Sequence, residues 1–162
     1  MGVVKAMFFP RFSSCKRLLY CLVACLLLVA GVGCRKAPYS CDKVSGKVSY
    51  EDGSLIPAER IRVIFVSQRP PLDPKTAPRN GAADADVKTG EFVSATTFAR
   101  GDGIIAGEHK VVIQCIREGI LAQDLVADEF TDPARTPLVA RSGDSPFDFR
   151  VHRPKESGPA DH

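Results

Sequence analysis

From Lys43 onward the large apolar residues come in short runs, each broken by Gly, Pro or Asp. "ERIRVIFVSQ" (59–68) and "EHKVVIQCI" (108–116) alternate side chains with a period of two, and no long stretch carries the 3.6-residue period of a helix. Such a chain can bury its apolar side chains only by stacking short strands. In "KVSGKVSYEDGSLI" (43–56), residues 44, 46, 48 and 50 share one face of an extended segment that ends at the Glu51-Asp52-Gly53 turn. Ile61, Val63 and Phe65 point one way in the next run, but Ile64 and Val66 make its opposite face apolar at the centre, so more than solvent covers that side. Further strands are expected in "GEFVSATTF" (90–98), in 108–116, and in the short runs "PLVARS" and "FDFRVHRP". "RPPLDPKTAPRNGAADAD" (69–86) holds four prolines and reads as a long loop. "GILAQDLVADEF" (119–130) has spacing for one or two helical turns. The expectation is an all-β antiparallel two-sheet sandwich of about seven strands over residues 43–152, with Val44, Val48, Val63, Phe65, Phe92, Val111, Ile113 and Phe149 inside. Ile61 and Val93 are further core candidates.

The N-terminus is of a different kind. Lys5, Arg11, Lys16 and Arg17 are its only charges before residue 34. Leu18–Val32 follows, 15 residues that are apolar or nearly so. That suits the h-region of an export signal and is short of the ~20 residues of a bilayer-spanning helix. Gly31 and Gly33 precede Cys34, and polar residues follow it. This order resembles the lipobox of bacterial lipoproteins. The resemblance implies a signal peptide over 1–33, a diacylglycerol on Cys34, and a short tether over 34–42. Gly31 stands where a large apolar residue is usual, and "LVAC" ending at Cys25 fits the box better but leaves too short an h-region. Ordinary cleavage and an uncleaved anchor are the other readings. Residues 153–162 form a polar tail.

Of the 22 Lys and Arg, four sit in this leader, which leaves 18 against 19 Asp and Glu. The remainder is almost neutral, so no nucleic acid partner is expected. Four of the six cysteines (Cys15, Cys21, Cys25, Cys34) also belong to the leader. Cys41 and Cys115 remain, either bridged outside the cytoplasm or both free, with Cys115 buried as a small hydrophobe.

Arg100-Gly101-Asp102 can be read as an adhesion tripeptide, but Gly101 and Gly103 flank Asp102 between two strands, and the local chemistry is that of a turn. Asp84, Asp86 and Glu91 lack the third ligand and the late Glu of a calcium loop. His109, His152 and His162 fall in no zinc motif, and no serine sits in a nucleophile elbow. Catalytic residues, metal and cofactor are therefore expected to be none.

The order of Val44 and Gly46, then Gly53, then Asp86, Gly90 and Phe92, then Gly101, Asp102, Gly107 and Val111 carries a second resemblance. It is similar to the small prealbumin-like, or carboxypeptidase-regulatory-like, domains of short planctomycete-type lipoproteins, over about residues 43–152. Pro57 is displaced by a residue or two from the usual place, and Ala82-Ala83 lengthens the middle loop. The resemblance implies a β-sandwich without catalysis, structural or accessory in the cell envelope. It implies a membrane partner through the lipid on Cys34, in the outer membrane of a two-membrane cell, and an envelope protein or polysaccharide partner whose identity it leaves open. The alternative is a secreted carbohydrate- or peptide-binding module, which an exposed aromatic cluster would favour.

Overall fold

The computed structural model describes residues 37–155, so the leader 1–33, Cys34 and the end of the tail lie outside the described residues. The described chain is mostly β, with no α-helix. Its strands are β1 (Cys41–Asp42), β2 (Gly46–Tyr50), β3 (Arg60–Ser67), β4 (Gly81–Ala85), β5 (Glu91–Phe92), β6 (Ile104–Ile105), β7 (Glu108–Arg117), β8 (Ile120–Leu121), β9 (Val139–Arg141) and β10 (Phe147–Val151). Two 3₁₀ turns, Asp128–Thr131 and Ser142–Asp144, complete the elements.

The strands make three sheets. The largest runs β4-β3-β7, with β8 and β9 pairing to opposite ends of β7. A second runs β10-β2-β5, and β1 pairs with β6 alone. The centre of the large sheet is the antiparallel pair of β3 and β7, which sets Ile61 opposite Cys115, Val63 opposite Ile113 and Phe65 opposite Val111. All six are buried. Phe65 also joins the two larger sheets, because its ring lies 6.1 Å from Phe92 on β5 and 6.0 and 6.2 Å from Phe147 and Phe149 on β10. Burial of each such side chain is worth roughly 1.5–3 kcal/mol.

Every core residue expected by parity is buried: Val44, Val48, Val63, Phe65, Phe92, Val111, Ile113 and Phe149, with Ile61 as well. Val93 is not, being 87% exposed, because the regular strand stops at Phe92 and the chain leaves the sheet there. Four further expectations are corrected. Among the described residues there are ten strands rather than about seven, and three sheets rather than two. The pairing of β2 with β10 is parallel, whereas an all-antiparallel arrangement was expected. Alternation specifies a buried face and says nothing of strand direction. The long loop ends early, because Gly81–Ala85 is strand β4, hidden behind three alanines and one aspartate of low β propensity. Within the expected tether, Tyr39 is 5% exposed, and Cys41–Asp42 is paired to Ile104–Ile105.

The outer face of the large sheet is apolar only at its centre. There Ile64 stands opposite Val112, and Val112 is buried. On β2 the nominally polar face also closes over: Ser49 is fully buried and its hydroxyl has no hydrogen-bond partner.

Candidate functional site

The chain between Thr96 and Gly107 wraps around one carboxylate. Asp102 Oδ1 accepts the Thr97 N–H at 2.8 Å, and Oδ2 accepts those of Phe98 and Ala99, both at 2.9 Å. Burial works against the charged carboxylate, but the three N–H groups outweigh it and hold the Asp102 pKa below the ordinary aspartate value. A carboxylate has about four acceptor positions, and three are filled from within the turn. Asp102 is thus committed to its own loop, while Arg100 is exposed. Gly103 has φ +101°, and a Cβ there would stand 1.9 Å from the Asp42 carbonyl oxygen. Only glycine lets β1 cross the turn so closely. Gly101, at φ +71°, has nothing within 4 Å of that position.

The crossing strand is fastened on both sides. Ser142 donates to Asp42 at 2.6 Å and accepts the Gly107 N–H at 3.1 Å. Just before it, the Tyr39 hydroxyl donates to the Thr76 carbonyl at 2.9 Å and accepts the Leu72 N–H at 3.1 Å. The Tyr39 ring stacks on Phe98 at 6.5 Å between centroids, and the Arg79 guanidinium lies 5.6 Å from the Phe98 ring. Three segments far apart in sequence, 37–43, 69–79 and 97–107, therefore meet at one end of the module. Neither the Pro-rich loop nor the tether announces this in the sequence. Tyr39 was the available sign, as an aromatic residue in an otherwise polar stretch.

The other residues singled out from the sequence do not converge. Asp84 pairs with Arg62 at 3.1 Å, and Asp86 accepts the Lys88 N–H at 2.7 Å within its own turn. Among the described residues no three His, Cys, Asp or Glu side chains come together as metal ligands. Among the described residues Cys41 and Cys115 are both free. Burial pushes the Cys115 thiol up to about 11. Cys41 is raised by burial first and then by the charges of Asp102 and Asp42. His109 is fully buried at the start of β7, with Nε2 2.6 Å from the Ile105 carbonyl and no partner for Nδ1. The carbonyl can only accept, so Nε2 carries the proton of the neutral ring. Burial holds the His109 pKa below its ordinary value. His152 lies 3.0 Å from Glu129 and edge-on to Phe130. Its pKa is raised, first by the Arg153 carbonyl and then, against some desolvation, by Glu129.

A cavity of ≈ 250 Å³ lies beside β7, floored by Ile113, Cys115 and Val126, with Gln123, Asp128, Thr131 and Arg135 at its mouth. Arg135 is engaged there, bonding Asp132 at 3.0 Å and the Asp128 carbonyl at 3.3 Å. The volume is below the ~300–1,000 Å³ usual for organic ligands. The helical-turn spacing of 119–130 does not point to it; the segment is instead β8 and a 3₁₀ turn.

Comparison with protein-family models, with curated proteins and with solved structures finds no match to this chain.

Proposed function

We propose that this chain is a lipid-anchored, non-catalytic β-sandwich module of the bacterial cell envelope, structural or accessory in role. Cys34 carries the lipid, and the two larger sheets form a prealbumin-like sandwich. The observation that carries this reading is the order of basic residues, 15 apolar residues, Gly31, Gly33 and Cys34, with a folded module beginning almost at once after the cysteine. Tyr39 is already buried, so the chain between it and Cys34 can extend no more than about 18 Å. Two or more acyl chains at Cys34 suffice for stable attachment, each buried CH₂ adding ~0.8 kcal/mol. The engaged state of Asp102 supports a structural turn in place of an adhesion epitope.

Intact mass of the protein extracted from membranes tests the reading. A chain beginning at Cys34 and carrying the mass of a diacylglyceryl group is expected, and Cys34→Ser should abolish lipid labelling and leave the leader in place. A mass matching the chain from Met1, or labelling that survives Cys34→Ser and vanishes in Cys25→Ser, would overturn it.

A further inference from the structure

We propose that the end of the module where Tyr39 is held docks on an anionic lipid surface, with Leu72 as its apolar contact and Arg69, Lys75, Arg79 and Arg100 as its charges. The inference rests on the anchor reading above.

Leu72 is 61% exposed at the tip of the 69–79 loop, among the exposed prolines Pro70, Pro71 and Pro74. The Leu72 amide is held by the Tyr39 hydroxyl and the Thr76 carbonyl, but its side chain packs on none of the core. The four basic side chains at this end of the module are exposed, and among the described residues none is paired with a carboxylate, Arg79 resting instead over the Phe98 ring. Six other arginines of the module, at 62, 117, 135, 141, 150 and 153, do have carboxylate partners. The acids at this end are Asp42, Asp73 and Asp102, all hydrogen-bonded within the module and all still charged. Arg69, Lys75, Arg79 and Arg100 against these three leave one net positive charge beside an apolar tip, a combination that favours the headgroup region of an anionic bilayer.

Placement makes the bilayer the occupant. Tyr39, whose hydroxyl holds this loop, is five residues from Cys34, so a lipid on Cys34 keeps the Tyr39 backbone within about 18 Å of chain from the lipidated residue, with the loop one side chain further. Confinement at that range makes even weak docking effective. The exposed Ile120 and Leu121 lie beyond the far end of β7, ten residues or ~30 Å along the strand, and do not share this placement.

The sequence has no tryptophan, so Leu72→Trp in the full chain creates a single fluorescent reporter. The variant, purified from membranes, is placed in vesicles of phosphatidylglycerol with phosphatidylcholine, or of phosphatidylcholine alone, with brominated acyl chains as quencher. Sedimentation with the vesicles reads the anchor, and quenching reads the docking. The expected result is blue-shifted, quenched emission in the anionic vesicles only, reversed at about 0.5 M salt. The docking equilibrium should fall about fivefold for each of Arg69→Gln, Lys75→Gln and Arg79→Gln. An Ile120→Trp reporter should stay unquenched. A chain that sediments while the Leu72→Trp reporter stays in water, or is quenched equally in both lipids, overturns the docking and leaves the anchor standing. A chain that does not sediment overturns both.

Discussion

The Ser142 hydroxyl donates a 2.6 Å hydrogen bond to the carboxylate of Asp42, tying the segment that leads into the module to a 3₁₀ turn near its other end. The same oxygen accepts the Gly107 N–H, so one hydroxyl serves two partners. Ser142→Ala should cost roughly 1–2 kcal/mol. The loss should be local. The Ala106 amide, bonded to Ser40, should exchange faster with solvent, while amides of β3 and β7 keep their protection. Urea midpoints and hydrogen exchange read the two effects.

Asp102→Ala leaves three N–H groups without their acceptor and should lower stability by about 2 kcal/mol. Because the folded carboxyl is more acidic than an ordinary aspartate, its contribution is present above a pH of 3.8 and is lost as pH falls through the folded value. Urea titrations of the parent and the variant at neutral and acid pH should converge accordingly.

Gly103→Ala and Gly101→Ala separate crowding from backbone strain. Both positions have positive φ, but only Gly103 would drive a Cβ into the Asp42 carbonyl. Gly101→Ala should cost about 1 kcal/mol and Gly103→Ala at least ~3 kcal/mol, as read by thermal or urea unfolding.

The two histidines of known placement should bend the pH profile in opposite directions. His109 is buried neutral, with its pKa lowered, so it destabilises the fold as pH falls below 6.5 toward the folded value. His152 has a raised pKa; its pairing with Glu129 is present below 6.5 and is lost as pH rises through the folded value. That pair is partly exposed, so solvent screening keeps its contribution small. The acid limb should therefore belong to His109, and His109→Phe should flatten stability below pH 6.5. A limb unchanged in that variant would show that another group produces it.

Cys115 should resist alkylation until the module unfolds, because it is buried and its thiol is held to about 11. Cys41 is half-buried and should label in the folded state, more slowly than a free thiol because its pKa is raised. Peptide mapping after labelling with and without denaturant distinguishes the two, and a peptide pair lighter by two hydrogens would reveal a bridge.

What could be read from the residues was burial by parity. The β3 and β7 runs alternate large β-branched and aromatic side chains, and that alternation fixes a face whatever the neighbouring strand is. Partners were not legible: nothing in "GKVSY" or "FDFRV" says that these strands lie together and parallel. Strand β4 was missed because Ala82, Ala83 and Ala85 bury too little to show a pattern, and their place against β3 comes from the sheet. The Asp102 turn announced itself through its flanking glycines. The gathering of Tyr39, Leu72, Thr76 and Phe98 did not, because it depends on loops brought together only after the sheets have formed.

The parallel pair of β2 and β10 joins nearly the first strand to the last. Until Val151 has been made and delivered, β2 lacks the neighbour on one edge, and Phe65 lacks the rings of Phe147 and Phe149. Pairing across such a separation in sequence is slow, since the loop must close before any contact rewards it. For a chain exported N-terminus first, as proposed here, this ordering has a timing effect. In such a chain the β2–β10 sheet would close last, after the final strand had crossed, so its completion would mark the end of passage.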